Sequence, residues 1–223
     1  MREFLREILH ALEAGEPVEL VSVVRSSGST PRGAGAMMAV FTDGHAAGTV
    51  GGGNAEFASQ KHAAELLEKG GEDLCRFRFI QGEAASLGMV CGGDVEVQFQ
   101  YLSPEDGEAV AILRELKEAC AHSTDVWLVR RIESGHVTAM GTADREGVHH
   151  LAAPPEELAK ILGNKAVYDG TWFAVPVVKA GRTYIFGGGH VSQALVPVLS
   201  AVDFRPVVYD DRSEFADPAL FPG

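Results

Sequence analysis

The chain is short of cysteine and of positive charge, and each shortage excludes a class of protein. Its three cysteines, Cys75, Cys91 and Cys120, are odd in number and lack metal-type spacing, which argues against a disulfide scaffold and favours a reducing compartment. With 19 basic and 31 acidic residues, the formal net charge is −12. We therefore expect neither nucleic acid nor an anionic membrane surface as a partner.

Long apolar runs, repeats and low-complexity segments are also lacking. No apolar stretch approaches the length of a transmembrane helix. The segment from Met1 to Gly15 alternates charged and apolar residues at helical spacing, which predicts an amphipathic helix rather than a signal peptide. These features predict a soluble cytoplasmic protein, and 223 residues with 46% hydrophobic content suffice for one large domain or two modest ones.

The apolar periodicity predicts an α/β fold in two parts, residues 1–180 and residues 181–223. The first part mixes strands and helices. The second predicts a strand from Thr183, a helix from about His190 and a strand that ends at Tyr209, which is one Rossmann-like βαβ crossover. One crossover cannot form a stable sheet by itself. We therefore expect a truncated domain, or a unit that adds to another sheet or to a second copy of the chain.

Glycine is abundant, at 26 residues, and two glycine triplets stand out. Gly51 to Gly53 and Gly187 to Gly189 each follow an apolar run and precede an amphipathic one. Glycine turns let backbone N–H groups approach a ligand, and the helix that follows adds unpaired N–H groups and a positive dipole end. Both triplets therefore predict anion-binding turns, and the chain is interpreted as a binder of phosphorylated small molecules.

The second triplet matches the dinucleotide-binding fingerprint. Gly187, Gly189 and Ser192 occupy its three positions, and Asp210 lies about twenty residues further on, where an acidic residue binds ribose hydroxyls. Asp211 takes that role if the register shifts by one residue. The alternative is a tight strand-to-helix turn without a ligand, and the strand, helix, strand context favours nucleotide binding over it.

The first triplet lies among charged and hydroxyl-bearing residues. Asn54 is the predicted N-cap of the following helix, and Glu56 lies in its first turn. Arg32 comes from a preceding loop rich in serine, threonine and glycine. These groups predict an oxyanion site with Arg32 as the charged clamp. Equally open is a pair of structural turns in which Glu56 only complements the helix dipole.

Cys91 precedes Gly92 and Gly93 in a predicted loop, where a thiolate would find backbone N–H groups and little steric cover. A reactive or metal-facing cysteine needs such access, although a single cysteine at a strand start is more often a small apolar residue. Cys75 and Cys120 lie in apolar patterns typical of a core. The eight histidines show no paired metal spacing, and the residues assemble no catalytic triad.

Four ordered motifs span nearly the whole chain: SSGSTPRGAGAMM, GTVGGGNAE, GMVCGGDVEV, and YIFGGGHVSQAL with VVYDDR. Together they resemble the XdhC/CoxI family, the accessory factors of xanthine dehydrogenase and related molybdenum hydroxylases. The resemblance implies an N-terminal XdhC/CoxI domain, with its connecting region, over residues 1–180. It also implies that residues 181–223 begin a Rossmann-like domain that is longer in the family than here.

The resemblance further implies a maturation factor rather than a catalyst. Such a protein binds molybdenum cofactor, protects it while a cysteine desulfurase installs its terminal sulfido ligand, and delivers it to the apo-hydroxylase. We expect a homodimer, with NAD as a further candidate ligand. Carried over by motif, the cofactor-binding residues are Arg32, Gly51, Gly52, Gly53, Glu56, Cys91, Gly187, Gly189 and Asp210, with Cys91 also facing the metal.

Two other functions stay open. One is an NAD- or FAD-dependent oxidoreductase that uses the second triplet, although no convincing catalytic acid or base lies near that motif. The other is a scaffold that recruits the hydroxylase and the desulfurase without holding the cofactor.

Overall fold

The structure is a computed structural model. The chain divides into two compact units, residues 1–177 and residues 178–223. The residues that the structure describes are 1–28, 30, 32–79, 93–122, 125–177, 182–201 and 204–221. Among them, no helix is long and apolar enough to cross a membrane.

The first unit mixes helices and strands, as the sequence predicts. Its elements are α1 (Arg2–Glu13), β1 (Val18–Gly28), β2 (Met37–Phe41), β3 (Ala46–Gly48), α2 (Gly53–Leu67), β4 (Asp73–Phe79), β5 (Gly93–Leu102), α3 (Gly107–His122), β6 (Trp127–Glu133), β7 (His136–Ala143), β8 (Val148–His149), α4 (Pro155–Leu158), β9 (Val167–Tyr168) and β10 (Trp172–Pro176).

The strands of the first unit form two antiparallel sheets. Sheet A has the order β3-β2-β1-β5-β4, and sheet B has the order β8-β7-β6-β10-β9. The main core combines α1 and α3 with residues of both sheets, such as Leu9, Leu20, Leu116, Leu128 and Phe173. Removal of these large apolar side chains from water contributes most of the free energy that holds the unit together.

β1, the central strand of sheet A, is buried on both faces from Val18 to Val24 because a hydrophobic cluster covers each face. Successive side chains of a strand point to opposite faces. Val18 and Leu20 accordingly belong to the main core, whereas Val21 and Val23 belong to a second cluster that includes Ala63 of α2. Helix α2 packs on β1, β2 and β5 and covers this second face.

A β-bulge interrupts β1 at Val24. The pairing with β5 passes from Val23 opposite Val97 to Arg25 opposite Glu96, so the ladder skips Val24. Bulges bend a strand and redirect its side chains, and they are common beside functional sites. Beyond the bulge, β1 continues along the first residues of β5 to Gly28.

The second unit contains β11 (Arg182–Phe186), α5 (His190–Ala201) and β12 (Arg205–Tyr209), followed by 3₁₀ turns at Ser213–Phe215 and Pro218–Leu220. β11 and β12 pair in parallel, which requires a crossover connection, here α5. The strand, helix, strand order that the sequence predicts is therefore present.

Helix α2 departs from the prediction at its N-terminus. Its N-cap is Gly52, with a φ of 74°, and among the described residues no side chain caps it. Asn54 instead lies inside the helix, which begins at Gly53. The amides of Val50, Gly51 and Gly52 in this turn donate hydrogen bonds to the side chain of Glu56.

Candidate functional site

The first glycine triplet forms a turn around the carboxylate of Glu56. The Oε2 atom of Glu56 accepts hydrogen bonds from the amides of Val50 at 3.0 Å, Gly51 at 3.3 Å and Gly52 at 3.0 Å. The Thr49 hydroxyl donates a further bond to the same oxygen. All three glycines have positive φ angles, 142° at Gly51, 74° at Gly52 and 61° at Gly53, which side chains with a Cβ rarely adopt.

The turn thus binds an anion, and the anion belongs to the chain itself. Partial burial raises the pKa of Glu56, but the hydrogen bonds from Thr49, Gly52, Val50 and Gly51 outweigh it and lower the pKa below its usual value. The carboxylate is therefore ionised at neutral pH. A ligand oxyanion that used these same amides would have to displace it.

Arg32 is not part of this arrangement. Its side chain is exposed, and it makes no hydrogen bond or ion pair with any residue that the structure describes. Two backbone hydrogen bonds join the loop around Arg32 to β1. The amide of Gly35 donates to the carbonyl of Val23 at 2.8 Å, and the amide of Val23 donates to the carbonyl of Ala36 at 2.9 Å. The structure brings Glu56 and the triplet together and leaves Arg32 without a contact to them.

A pocket of about 510 Å³ lies beside the bulge of β1. The start of the SSGSTPRGAGAMM motif contributes Ser26 and Ser27, and the GMVCGGDVEV motif contributes Asp94 and Glu96. The remaining lining residues are Val24, Arg25, Ala34, Arg76, Val95, Ala166, Val167 and Tyr168. Residues from two of the sequence motifs thus meet at one cavity.

Four charged side chains of this pocket form two pairs. Arg25 approaches Glu96 at 3.3 Å, and Arg76 approaches Asp94 at 2.7 Å. The guanidinium of Arg25 also lies 4.6 Å from the ring centroid of Tyr168. Each arginine is at least half exposed, so each ion pair contributes little to stability in water.

Cys91 lies outside the described residues. Gly93, two residues further on, pairs with Gly28 of β1 and with Phe79 of β4. Gly93 directly precedes Asp94, which lines the pocket. Asp94 and Glu96, which belong to the same motif as Cys91, therefore lie at this pocket.

The second glycine triplet is also bound by groups of the chain. The amide of Gly188 donates to Asp210 Oδ2 at 2.7 Å, and the amide of Gly187 donates to the carbonyl of Tyr209 at 2.7 Å. Arg212 donates to both oxygens of Asp210, at 2.9 and 3.0 Å. The bonds from Arg212 and then from Gly188 hold the pKa of Asp210 well below its usual range.

Access to this triplet is limited further by the 3₁₀ turn at Ser213–Phe215. A Cβ added at Gly188 would overlap the carbonyl oxygen of Phe215, whereas one added at Gly189 would meet no described atom within 4 Å. The side chain of Asp210 is only 2% exposed. Asp210 is thus brought to the glycine turn as the fingerprint predicts, but it binds Gly188 and Arg212.

Residues 11–78 match the model of the XdhC and CoxI family. The segment contains the serine-rich loop, the first glycine turn and Arg76 of the pocket. Over these residues the chain is similar to the XdhC and CoxI family. The family resemblance seen in the sequence motifs is thereby confirmed.

A solved structure also resembles this chain over most of its length. It is a protein from Bacillus halodurans described as a xanthine dehydrogenase, with a TM-score of 0.74 and 25% sequence identity. The match covers 98% of this chain and 66% of the other, so this chain spans about two thirds of that protein. No curated protein matches the chain.

The first unit also holds a cluster that the sequence analysis missed. Cys75, predicted to be a core residue, is half-buried and contacts Asp73 and His62. Burial, followed by the hydrogen bond and the charge of Asp73, raises the pKa of Cys75 to about 12, so the thiol is protonated at neutral pH. The sequence signal that could have indicated this cluster is the two-residue spacing of Asp73 and Cys75, which places both side chains on one face of a strand.

Proposed function

We propose that this protein is an accessory factor that binds molybdenum cofactor and delivers it to a xanthine dehydrogenase-type molybdenum hydroxylase. The match of residues 11–78 to the XdhC and CoxI family supports a role in maturation, and so does the similarity to a protein described as a xanthine dehydrogenase. The observation that carries the proposal is the pocket beside the bulge of β1, where two family motifs meet.

The pocket suits a small phosphorylated heterocycle in size and chemistry. Its volume of about 510 Å³ falls in the range of roughly 300–1,000 Å³ typical of small-molecule sites. Arg25 and Arg76 supply cationic donors and Ser26 and Ser27 supply hydroxyls, which are the groups that recognise a phosphate. The apolar side chain of Val167 and the ring of Tyr168 offer a surface for a flat ring system.

Phosphate recognition is assigned to this pocket because its donors are exchangeable. The amides of Gly51 and Gly52 already bind an ionised carboxylate, whereas Arg25 and Arg76 hold theirs through exposed ion pairs. In this proposal the thiol of Cys91 faces the metal or its sulfur. Cys91 precedes Asp94 of the pocket by three residues in the sequence. A cysteine desulfurase and a second copy of the chain are proposed partners on the strength of the family resemblance alone.

The oxidoreductase alternative gains no support from the second unit. The carboxylate that would bind ribose hydroxyls already binds Gly188 and Arg212, and the turn at Ser213–Phe215 covers Gly188. We therefore keep the accessory-factor function as the proposal.

Gel filtration after incubation with molybdenum cofactor tests the proposal. We expect molybdenum and pterin to elute with the wild-type protein. Arg76→Ala and Cys91→Ala should each lower the retained molybdenum at least several-fold. Arg145→Ala is the matched control, because Arg145 is an exposed arginine whose ion pair, with Asp125 at 2.6 Å, is not part of the pocket.

Two results would contradict the proposal: no cofactor retained by the wild type, or equal retention by the wild type and both variants. Arg32→Ala distinguishes the pocket from the first glycine turn as the phosphate site. Loss of retention in Arg32→Ala alone would return the phosphate site to the loop around Arg32.

A further inference from the structure

Three side chains with different metal-binding chemistry converge between α2 and sheet A, and the proposed function uses none of them. His62 Nε2 lies 2.9 Å from Asp73 Oδ2, and Cys75 Sγ lies 2.9 Å from the same oxygen. The distance from Cys75 Sγ to His62 Nε2 is 3.7 Å. An imidazole nitrogen, a carboxylate oxygen and a thiol sulfur therefore form one compact triangle.

The fold fixes each corner of this triangle. Asp73 and Cys75 are two residues apart on β4 and so project from the same face of sheet A. His62 comes from α2, which packs on that face. The centroid of its ring lies 4.8 Å from that of the Phe99 ring, in an edge-to-face arrangement. Phe99 is itself fully buried and pairs with Asp73 across the β4–β5 ladder.

The carboxylate of Asp73 is oriented toward the triangle. Its Oδ1 atom accepts a hydrogen bond from the amide of Leu74 at 2.8 Å, which leaves Oδ2 for His62 and Cys75. When one oxygen of a carboxylate accepts a hydrogen bond from a backbone amide, the other oxygen is held in a fixed direction and can bind a metal ion.

We propose that His62 Nε2, Asp73 Oδ2 and Cys75 Sγ are the protein ligands of a zinc-class divalent metal ion, with a fourth coordination position open to solvent. Zinc–nitrogen and zinc–oxygen bonds of about 2.0–2.2 Å and zinc–sulfur bonds of about 2.3 Å give a tetrahedron with edges of roughly 3.3–3.6 Å. The observed separations of 2.9, 2.9 and 3.7 Å lie within about 0.7 Å of those edges.

The donor set selects the class of metal. A thiolate and an imidazole suit zinc and similar transition metals, whereas magnesium and calcium prefer oxygen ligands. One carboxylate and one thiolate balance the double positive charge of the ion, and the thiol proton that the metal displaces passes to solvent. The side chains of His62 and Asp73 are 32% and 41% exposed, so an exogenous ligand can reach the fourth position.

Equilibrium dialysis against Zn²⁺, and Co²⁺ absorption as a spectroscopic probe, test the site in protein free of molybdenum cofactor. We expect one equivalent of metal and a thiolate-to-cobalt charge-transfer band. Cys75→Ser should remove the band, and His62→Gln and Asp73→Asn should each weaken Zn²⁺ binding at least tenfold. Because His62 is partly exposed, His62→Gln remains informative even if Cys75→Ser fails to fold.

Cys91→Ala and Cys120→Ala are the thiol controls, and His136→Ala, at an exposed histidine that approaches Glu72, is the imidazole control. All three should bind Zn²⁺ as the wild type does. The proposal is overturned if the folded wild type takes up no metal, if Cys75→Ser keeps the cobalt band, or if Cys91→Ala alone abolishes it. None of these results depends on whether the protein retains molybdenum cofactor.

Discussion

The Oε2 atom of Glu56 lies 3.0 Å from the amide nitrogen of Gly52, in the position that a glycine turn offers to a bound anion. The glutamate is four residues further along the chain, within the first turn of α2, so the interaction closes a loop inside one short segment. The turn and the start of α2 are thereby fixed by an internal ligand.

Glu56→Ala should destabilise the first unit by about 2 kcal/mol, since hydrogen bonds to a charged group contribute about 1.5–3 kcal/mol and several amides lose their acceptor together. The same variant frees those amides, so inorganic phosphate should stabilise it more than it stabilises the wild type. Urea unfolding with and without phosphate measures both effects. Glu65→Ala, at an exposed position of the same helix, is the control.

This contribution of Glu56 should depend on pH in a defined direction. Its folded pKa is lowered, so the stabilisation is present above the unfolded value of about 4.3 and is lost as the pH falls through the folded pKa. The difference in unfolding free energy between wild type and Glu56→Ala should therefore shrink in acid. A difference that stays constant down to a pH of about 3 would show that the charge of Glu56 does not stabilise the turn.

Local patterns predicted the elements of this chain better than its sites. The apolar periodicity around β2, β5 and the βαβ crossover was sufficient to place those elements within a few residues. The sequence predicted an anion-binding turn at the first glycine triplet, but it did not show that the bound anion is the carboxylate of Glu56. For the cluster of His62, Asp73 and Cys75, the sequence shows only that Asp73 and Cys75 have the spacing of one strand face. It does not show His62 beside them, because the packing of α2 on sheet A brings the histidine to the strand.

Glu19 is a buried carboxyl group that should reduce stability at neutral pH. It is fully buried in β1, and neither carboxylate oxygen has a hydrogen-bond partner among the described residues. Burial, with a smaller effect from Glu72, raises its pKa to about 9. From pH of about 4.3 up to about 9 the unfolded chain is ionised at this residue and the folded chain is not, so stability falls as the pH rises.

Glu19→Met should therefore stabilise the protein by about 1–3 kcal/mol at neutral pH and flatten this decline. Denaturant unfolding at pH values of about 5, 7 and 9 measures the effect. Glu65→Met, at a solvent-exposed position, should change stability by less than about 0.5 kcal/mol. A Glu19→Met protein that is less stable than the wild type at the highest of these pH values would contradict the interpretation.

Arg130 joins the two sheets of the first unit. It is fully buried on β6 of sheet B and donates to Ser22 Oγ at 2.9 Å and Gln100 Oε1 at 3.1 Å, both in sheet A. Burial lowers its pKa to about 10, which leaves the guanidinium charged at neutral pH. Arg130→Met leaves Ser22 and Gln100 without these bonds.

Arg130→Met should cost about 3 kcal/mol, whereas Arg130→Met combined with Ser22→Ala and Gln100→Leu should recover most of that loss. Urea unfolding of the single and triple variants measures the difference. Arg131→Met, at the exposed next position of β6, should have little effect. Equal stability of the single and triple variants would show that the buried hydrogen bonds do not determine the cost.

Two adjacent glycines of the second triplet should respond differently to the same substitution. Gly188→Ala places a Cβ against the carbonyl oxygen of Phe215 and must displace the 3₁₀ turn at Ser213–Phe215, whereas a Cβ at Gly189 meets no described atom within 4 Å. Overpacking of this kind costs about 1–3 kcal/mol, and Gly189→Ala should be nearly neutral. Hydrogen exchange of the amides from Gly187 to Phe215 measures the loss of protection within this unit.

The same pair of variants bears on the ligand chemistry of the second unit, because a dinucleotide bound at this turn would need the 3₁₀ turn to move aside. If Gly188→Ala accelerates exchange at Phe215 and Gly189→Ala does not, the covering contact is real and restricts access to the turn. Equal exchange in both variants would remove the steric argument against a nucleotide at this turn, and the hydrogen bonds of Asp210 to Gly188 and Arg212 would then be the remaining restriction.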